Sequence, residues 1–147
     1  MSYIVAPGSL AVGANPVFIG YLRQWIKTEN PVDFVEVSFE ASDVDEIRLS
    51  MFRKNANIIG LNAMNLASTP VEDWQDVFID KSTITAPTTY DTEFFETLQI
   101  QPFESNFLYM PENVPLLFST AGVYIARFTF TMNDGSVHPV SVEFLIR

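Results

Sequence analysis

The stretch from Gly122 to Arg147 constrains the fold more than any other part of this chain. Residues 122–132 alternate strictly: Tyr124, Ala126, Phe128, Phe130 and Met132 fall on one side, and Ile125, Arg127, Thr129 and Thr131 on the other. Successive side chains of a strand point to opposite faces, so this is the pattern of a half-buried strand. Asn133-Asp134-Gly135 follows, residues that accept positive φ and so suit a hairpin turn. Val140, Val142, Phe144 and Ile146 then alternate with Ser141, Glu143, Leu145 and Arg147, which predicts a returning strand with its own apolar face.

The same period recurs upstream. Val17–Lys27 reads as an apolar-rich strand, with a short helix as the alternative, ended by Asn30-Pro31. Val35, Val37 and Phe39 alternate with Glu36, Ser38 and Glu40. Ile47, Leu49 and Met51 alternate with Arg48 and Ser50, in a strand that runs on toward Ile58-Ile59. Asp73–Ile79 is a candidate strand, Ser82–Thr89 reads as extended or looped, and Phe94–Ile100 as a strand. Val114, Leu116 and Phe118 give a short strand before the final hairpin. Many short strands separated by turn signals, with almost no helical period, predict an all-β sandwich or barrel.

At 147 residues the chain holds one well-buried core and hardly two. The expected organisation is an extended N-terminal arm over residues 1–16, followed by a single β-sandwich over 17–147. An insertion of poor definition falls around 60–90. Cysteine is absent, which excludes disulfides, thiolate metal sites and thiol nucleophiles. Eighteen acidic against eight basic residues give a net charge of −10. The basic residues are scattered, so neither nucleic acid nor anionic lipid is an expected partner. No positive charge precedes Arg23, and Pro7, Gly8, Gly13 and Pro16 interrupt the apolar N-terminus, so it does not read as a signal peptide. No run approaches the roughly 20 apolar residues of a spanning helix. The expectation is a chain made in a cytoplasm and kept there or packaged in an assembly.

Searches for chemistry return little. His138 is the single histidine, and no nucleophile elbow or phosphate-binding glycine loop accompanies it, so it reads as a strand-edge residue. Asp43-Val44-Asp45-Glu46 lacks the spacing and glycine of a calcium loop, and a solvated turn accounts for it better. Glu72, Asp73 and Asp76 are similar. No catalytic residue, metal ligand or cofactor is therefore expected. Two other classes stay open: a carbohydrate-binding module using Trp25, Trp74 and Tyr90 on one flat face, and a hydrolase built on facing carboxylates.

Binding candidates are apolar. Phe103, Phe107, Tyr109 and Met110 lie in a segment bracketed by Pro102 and Pro111, where large side chains either fold onto the core or face a partner. Tyr3, Ile4 and Val5 of the arm are apolar enough to want burial, which a neighbouring subunit could supply.

Ala121-Gly122-Val123-Tyr124-Ile125-Ala126 resembles the tyrosine corner of immunoglobulin-like domains, in which a Tyr opens a strand and its hydroxyl bonds back to nearby backbone. That resemblance implies an immunoglobulin-like β-sandwich with Tyr124 as the corner. Where antibody domains place a cysteine two residues later, this chain has Ala126. The order of a polar-capped strand from Asp45 to Phe52, a long variable middle, and the ending Leu117-Phe118-Ser119-Thr120-Ala121-Gly122-Val123-Tyr124 followed by a Phe-rich strand and an Asn-Asp-Gly turn also looks like the small immunoglobulin-like modules of tailed-phage virions. It implies a non-enzymatic virion component such as a capsid decoration, neck or baseplate subunit, either homo-oligomeric or attached to a larger particle through other protein subunits.

Overall fold

The computed structural model describes residues 2–29, 33–54, 68–71, 74–111, 118 and 120–147. In chain order its strands are β1 (Tyr3–Val5), β2 (Ser9–Leu10), β3 (Phe18–Tyr21), β4 (Arg23–Lys27), β5 (Phe34–Ser38), β6 (Val44–Lys54), β7 (Ser68–Pro70), β8 (Val77–Phe78), β9 (Ile84–Thr88), β10 (Ser105–Tyr109), β11 (Gly122–Met132) and β12 (Val137–Ile146). One short helix, α1 (Thr92–Leu98), joins them among the described residues. The protein is predominantly β, as the period-2 pattern predicts.

The larger sheet is built on the C-terminal hairpin. β11 and β12 pair antiparallel from Gly122↔Ile146 to Thr131↔Val137, and β6 pairs with the other edge of β11. The strand order is β2-β12-β11-β6-β7, with β8 also on β6. The turn of the hairpin uses one positive φ rather than several: Gly135 has φ +88°, while Asn133 and Asp134 do not enter that region. Met132 N–H donates to the Ser136 carbonyl, and Gly135 N–H to the Met132 carbonyl. This is the three-residue loop in which a tight turn is followed by a left-handed glycine.

Asp134 accepts hydrogen bonds from the Ser136 hydroxyl (2.6 Å) and amide (2.8 Å) in that turn. The Ser136 hydroxyl, then its amide, hold the carboxyl below its ordinary 3.8. A depressed folded-state value means the interaction contributes above the ordinary carboxylate range and is lost as pH falls through the lowered value. An NMR titration of Asp134 should give a midpoint below 3.8 that rises in Ser136→Ala. An unchanged midpoint in the variant would contradict this account.

The second sheet has the order β1-β3-β10-β9, all antiparallel. The two sheets meet through aromatic side chains. Phe18 of β3 and Phe107 of β10 pack edge-to-face on Phe128 of β11, with ring centroids 5.1 and 5.4 Å apart. Phe107 also meets Phe130, and Phe18 meets Phe144. Edge-to-face pairs add to the burial of each ring, and fully burying a Phe contributes about 1.5–3 kcal/mol. The residues assigned inward on β11 are all buried, together with Val140, Phe144 and Ile146 of β12. The outer face of the four-stranded sheet is covered too. Ile19 and Tyr21 point away from the main core yet are buried, and rings run from Tyr21 through Tyr3 and Phe103 to the buried Phe95 of α1.

Several local expectations are corrected. Within residues 2–16, Tyr3–Val5 and Ser9–Leu10 join the sheets rather than standing as an arm outside them. β1 is an edge strand on β3 and β2 runs parallel to β12. Gly20 makes that docking possible: a Cβ there would lie 2.8 Å from Ile4 Cγ1 and 3.0 Å from the Tyr3 carbonyl. The strand read over 94–100 is helix α1. Asp91 caps its start by accepting from Phe94 N–H (2.8 Å), and Gln99 ends it in the left-handed region. The caps outweigh the short alternation of Leu98 and Ile100. The extended reading of Ser82–Thr89 holds over β9, whereas Phe103–Met110 contains the interior strand β10. Val17–Lys27 is two strands in two different sheets. The short strand read at Val114 and Leu116, the run toward Ile58-Ile59 and the insertion over 60–67 lie outside the described residues.

Candidate docking surface

Between β3 and β4 the chain leaves one sheet and starts another. Asn106, the second residue of β10, sits at that branch point and is fully buried. Its Oδ1 accepts from Leu22 N–H at 2.7 Å, and its Nδ2 donates to the carbonyls of Leu22 (3.1 Å) and Phe39 (3.3 Å). Phe39 N–H also donates to the Leu22 carbonyl, at 2.8 Å. Where the strands diverge, backbone groups would otherwise be buried without partners, and the side-chain amide satisfies them. Leu22 and Phe39, both buried, thus form the fixed root of a projecting hairpin.

That hairpin is the two-stranded ribbon β4–β5, separate from both large sheets. Its register is Arg23↔Ser38, Gln24↔Val37, Trp25↔Glu36, Ile26↔Val35 and Lys27↔Phe34. Alternation therefore gives two unlike faces. One carries Trp25 and Phe34 with Arg23, Lys27 and Glu36. The other carries Ile26, Val35 and Val37 with Gln24, and no charge. Trp25 is 64% exposed and Phe34 58%, while Ile26 and Val35 are exposed on the opposite face. Isolated two-stranded ribbons are marginal in water, and this one is held at its root. Beyond Asn106, Ser2 Oγ exchanges hydrogen bonds with the Arg23 backbone, and Gln24 donates to Asp43 at 3.2 Å. Arg23 lies 4.0 Å over the Tyr21 ring and 3.6 Å from Glu36.

The residues singled out in the sequence are distributed differently. Ile4 and Phe107 are in the core and offer no surface, because both lie on the inward faces of their strands. Tyr3 and Phe103 come together, with ring centroids 5.5 Å apart, in the layer over the four-stranded sheet. Val5 pairs with Ile19 in the edge strand, and Tyr109 packs against Phe18 and Phe128. Met110 is exposed. Sequence reading missed the ribbon because Val17–Lys27 reads as one strand and Trp25 groups with Trp74 and Tyr90, while Phe34 is not singled out. The clue was a period-2 apolar pattern on both faces of the same short segment.

Tyr124 is fully buried, and its hydroxyl donates to the Thr120 carbonyl (2.7 Å) four residues upstream. Arg53 Nη2 donates to the same hydroxyl at 2.7 Å, with its guanidinium 5.2 Å from the ring centroid. Two of the described acids are engaged locally: Asp43 accepts from Glu40 N–H and Gln24, and Asp76 lies 3.5 Å from Arg48. Glu72 and Asp73 lie outside the described residues. No cluster of three or more His, Cys, Asp or Glu side chains fit to hold a metal occurs among the described residues. Trp74 donates its indole N–H to the Leu49 carbonyl (3.3 Å) against the core, and Tyr90 stacks on Phe94 at 4.6 Å. Neither stands with Trp25 as an open aromatic face. No helix among the described residues is long and apolar enough to cross a membrane.

The fold and surface thus define a β-rich protein carrying a rooted ribbon with apolar side chains on both faces. No protein-family model matches the chain, and no curated protein is significantly similar to it.

Proposed function

We propose that this chain is a non-enzymatic structural subunit, an immunoglobulin-like sandwich that docks to other protein subunits of an assembly. The observation that carries the reading is the ribbon β4–β5, with Trp25 and Phe34 exposed on one face and Ile26 and Val35 on the other. Monomeric proteins rarely leave such apolar surface clustered, and large aromatic side chains are enriched at interface centres. The Tyr124–Thr120 hydrogen bond supports the immunoglobulin-like assignment, since a corner of that kind opens a strand next to a hairpin in those domains. The likeness of the C-terminal region to virion modules makes a virion the favoured setting, as a decoration, neck or baseplate component. The carbohydrate-binding reading is the weaker one, because Trp74 and Tyr90 are engaged elsewhere.

The reading is tested in the native source. Gradient sedimentation of a gentle lysate should carry the chain with a particle far heavier than its own 16.6 kDa. Trp25→Ser should shift it toward the top of the gradient while the melt of the purified variant stays close to the parent's. A parent chain that always sediments alone would defeat the proposal.

A further inference from the structure

The ribbon's aromatic face has a complement on the chain itself. Beside β8 an open groove of about 460 Å³ is lined by Asp45, Glu46, Phe78 and Asp80, together with Ile47, Ile79 and Lys81. Phe78, 65% exposed, pairs with Arg48 on the short edge strand and presents its ring at the groove. Three acidic residues and one lysine therefore share the lining with an exposed aromatic residue, leaving the groove net negative. Hydrogen bonds from the Ser82 amide, then its hydroxyl, hold the Asp80 carboxyl below its ordinary value. The ribbon's aromatic face has the opposite arrangement, with Lys27 exposed beside Trp25 and Phe34 and Arg23 already set against Glu36.

We infer that a second copy of this chain is the occupant of the ribbon's aromatic face, with Trp25 and Phe34 against Phe78 and Lys27 among Asp45, Glu46 and Asp80. The inference rests on the docking role proposed above and names the partner of that same surface. Charge complementarity selects this face over the aliphatic one, which carries no charge to meet an acidic rim. It also selects this mode over ribbon-to-ribbon pairing: antiparallel pairing of β4 with its copy about Trp25 would set Arg23 against the copy's Lys27, a like-charge contact.

Proximity and area point to a reciprocal contact. Gln24 at the ribbon's root hydrogen-bonds Asp43, two residues before Asp45, so ribbon and groove are neighbours on one copy. A twofold axis can then place each ribbon at the other copy's groove, the isologous arrangement commonest among soluble dimers. One ribbon face spans roughly 17 Å by 10 Å, well short of the roughly 800 Å² per partner of a stable complex. Making the contact twice brings it to roughly 340 Å², still below that size, so association is weak. The result is a reversible dimer with Kd on the order of 10–100 μM.

Sedimentation equilibrium of the full chain over a concentration series reads this directly. The parent should shift from monomer to dimer. Trp25→Ser and Phe78→Ser should each weaken association by about tenfold or more, as loss of an aromatic anchor does. Lys27→Glu should weaken it by a few-fold, and adding Glu46→Lys in the same chain should restore it. Thermal melts of each variant confirm that it is folded. A parent that stays monomeric at several hundred micromolar, on the order of ten times the expected Kd, overturns the inference, as does a dimer that survives Phe78→Ser. If that monomeric parent still joins a heavy particle in a Trp25-dependent way, the assembly reading stands and only the second copy is removed.

Discussion

Replacing Asn106 with Leu should lower the stability of this protein by about 2–5 kcal/mol, far more than its modest change in volume implies. Leu cannot accept from Leu22 N–H or donate to the Phe39 carbonyl, and both would be left in a fully buried setting. Each unsatisfied buried group costs about 1–3 kcal/mol, while the Leu22 carbonyl keeps its bond from Phe39 N–H. The orientation of the amide follows from its partners, since a backbone N–H requires the oxygen and two carbonyls require the nitrogen. Asn106→Asp separates hydrogen bonding from packing. It retains the acceptor for Leu22 N–H but sets a carboxylate against two carbonyls. Burial and those carbonyls disfavour its ionised form and raise its folded-state pKa. Stability should therefore be lowest at neutral pH and recover partly as the group protonates in acid. Urea melts across pH read the global cost, and hydrogen exchange at Leu22 reads the local one. A Leu variant within 0.5 kcal/mol of the parent, roughly the scatter of harmless substitutions, would show that the clamp carries no weight.

Tyr124→Ala should cost about 3–5 kcal/mol, because the ring is fully buried and packs on Phe118 and Phe144 with centroids 5.1 and 6.0 Å away. Tyr124→Phe isolates the hydroxyl. It removes the bond to Thr120 and the acceptor for Arg53 Nη2, and the charged donor makes the loss larger than that of a neutral pair. A cost of about 1–3 kcal/mol follows. Thermal and urea melts should rank parent, Phe and Ala in that order. If Phe equals the parent, the corner hydrogen bond is dispensable and the immunoglobulin-like assignment loses its main local support.

Both residues are buried rather than on the docking surface, and their legibility differed. Tyr124 announced itself by opening an alternating strand after Ala121-Gly122. Asn106 was passed over inside an aromatic stretch, because an amide in a strand reads as an outward polar residue until the strand is known to be interior. Trp25 stands out in the sequence only as part of a flat face with Trp74 and Tyr90, and Phe34 is not singled out. Alternation indicates two faces but not whether either meets another layer, and in β4–β5 neither does so fully.

The long C-terminal hairpin and the inward set of β11 were decided by local order: a period of two over 122–132, a turn glycine at 135, and a second alternating run after it. A strand's two faces follow from backbone geometry alone, so nothing distant is needed to assign them. Which strands become neighbours depends on contacts between residues far apart in the chain. Ile4 reaches β3 because Gly20 leaves room for it, 16 positions along. β4 departs from β3 because Asn106, 84 positions from Leu22, holds the divergence open. Alternation along a single segment has no term for such pairings. The placement of the N-terminal strands, the burial of Phe107 and the exposure of the ribbon were therefore settled only when the two sheets packed.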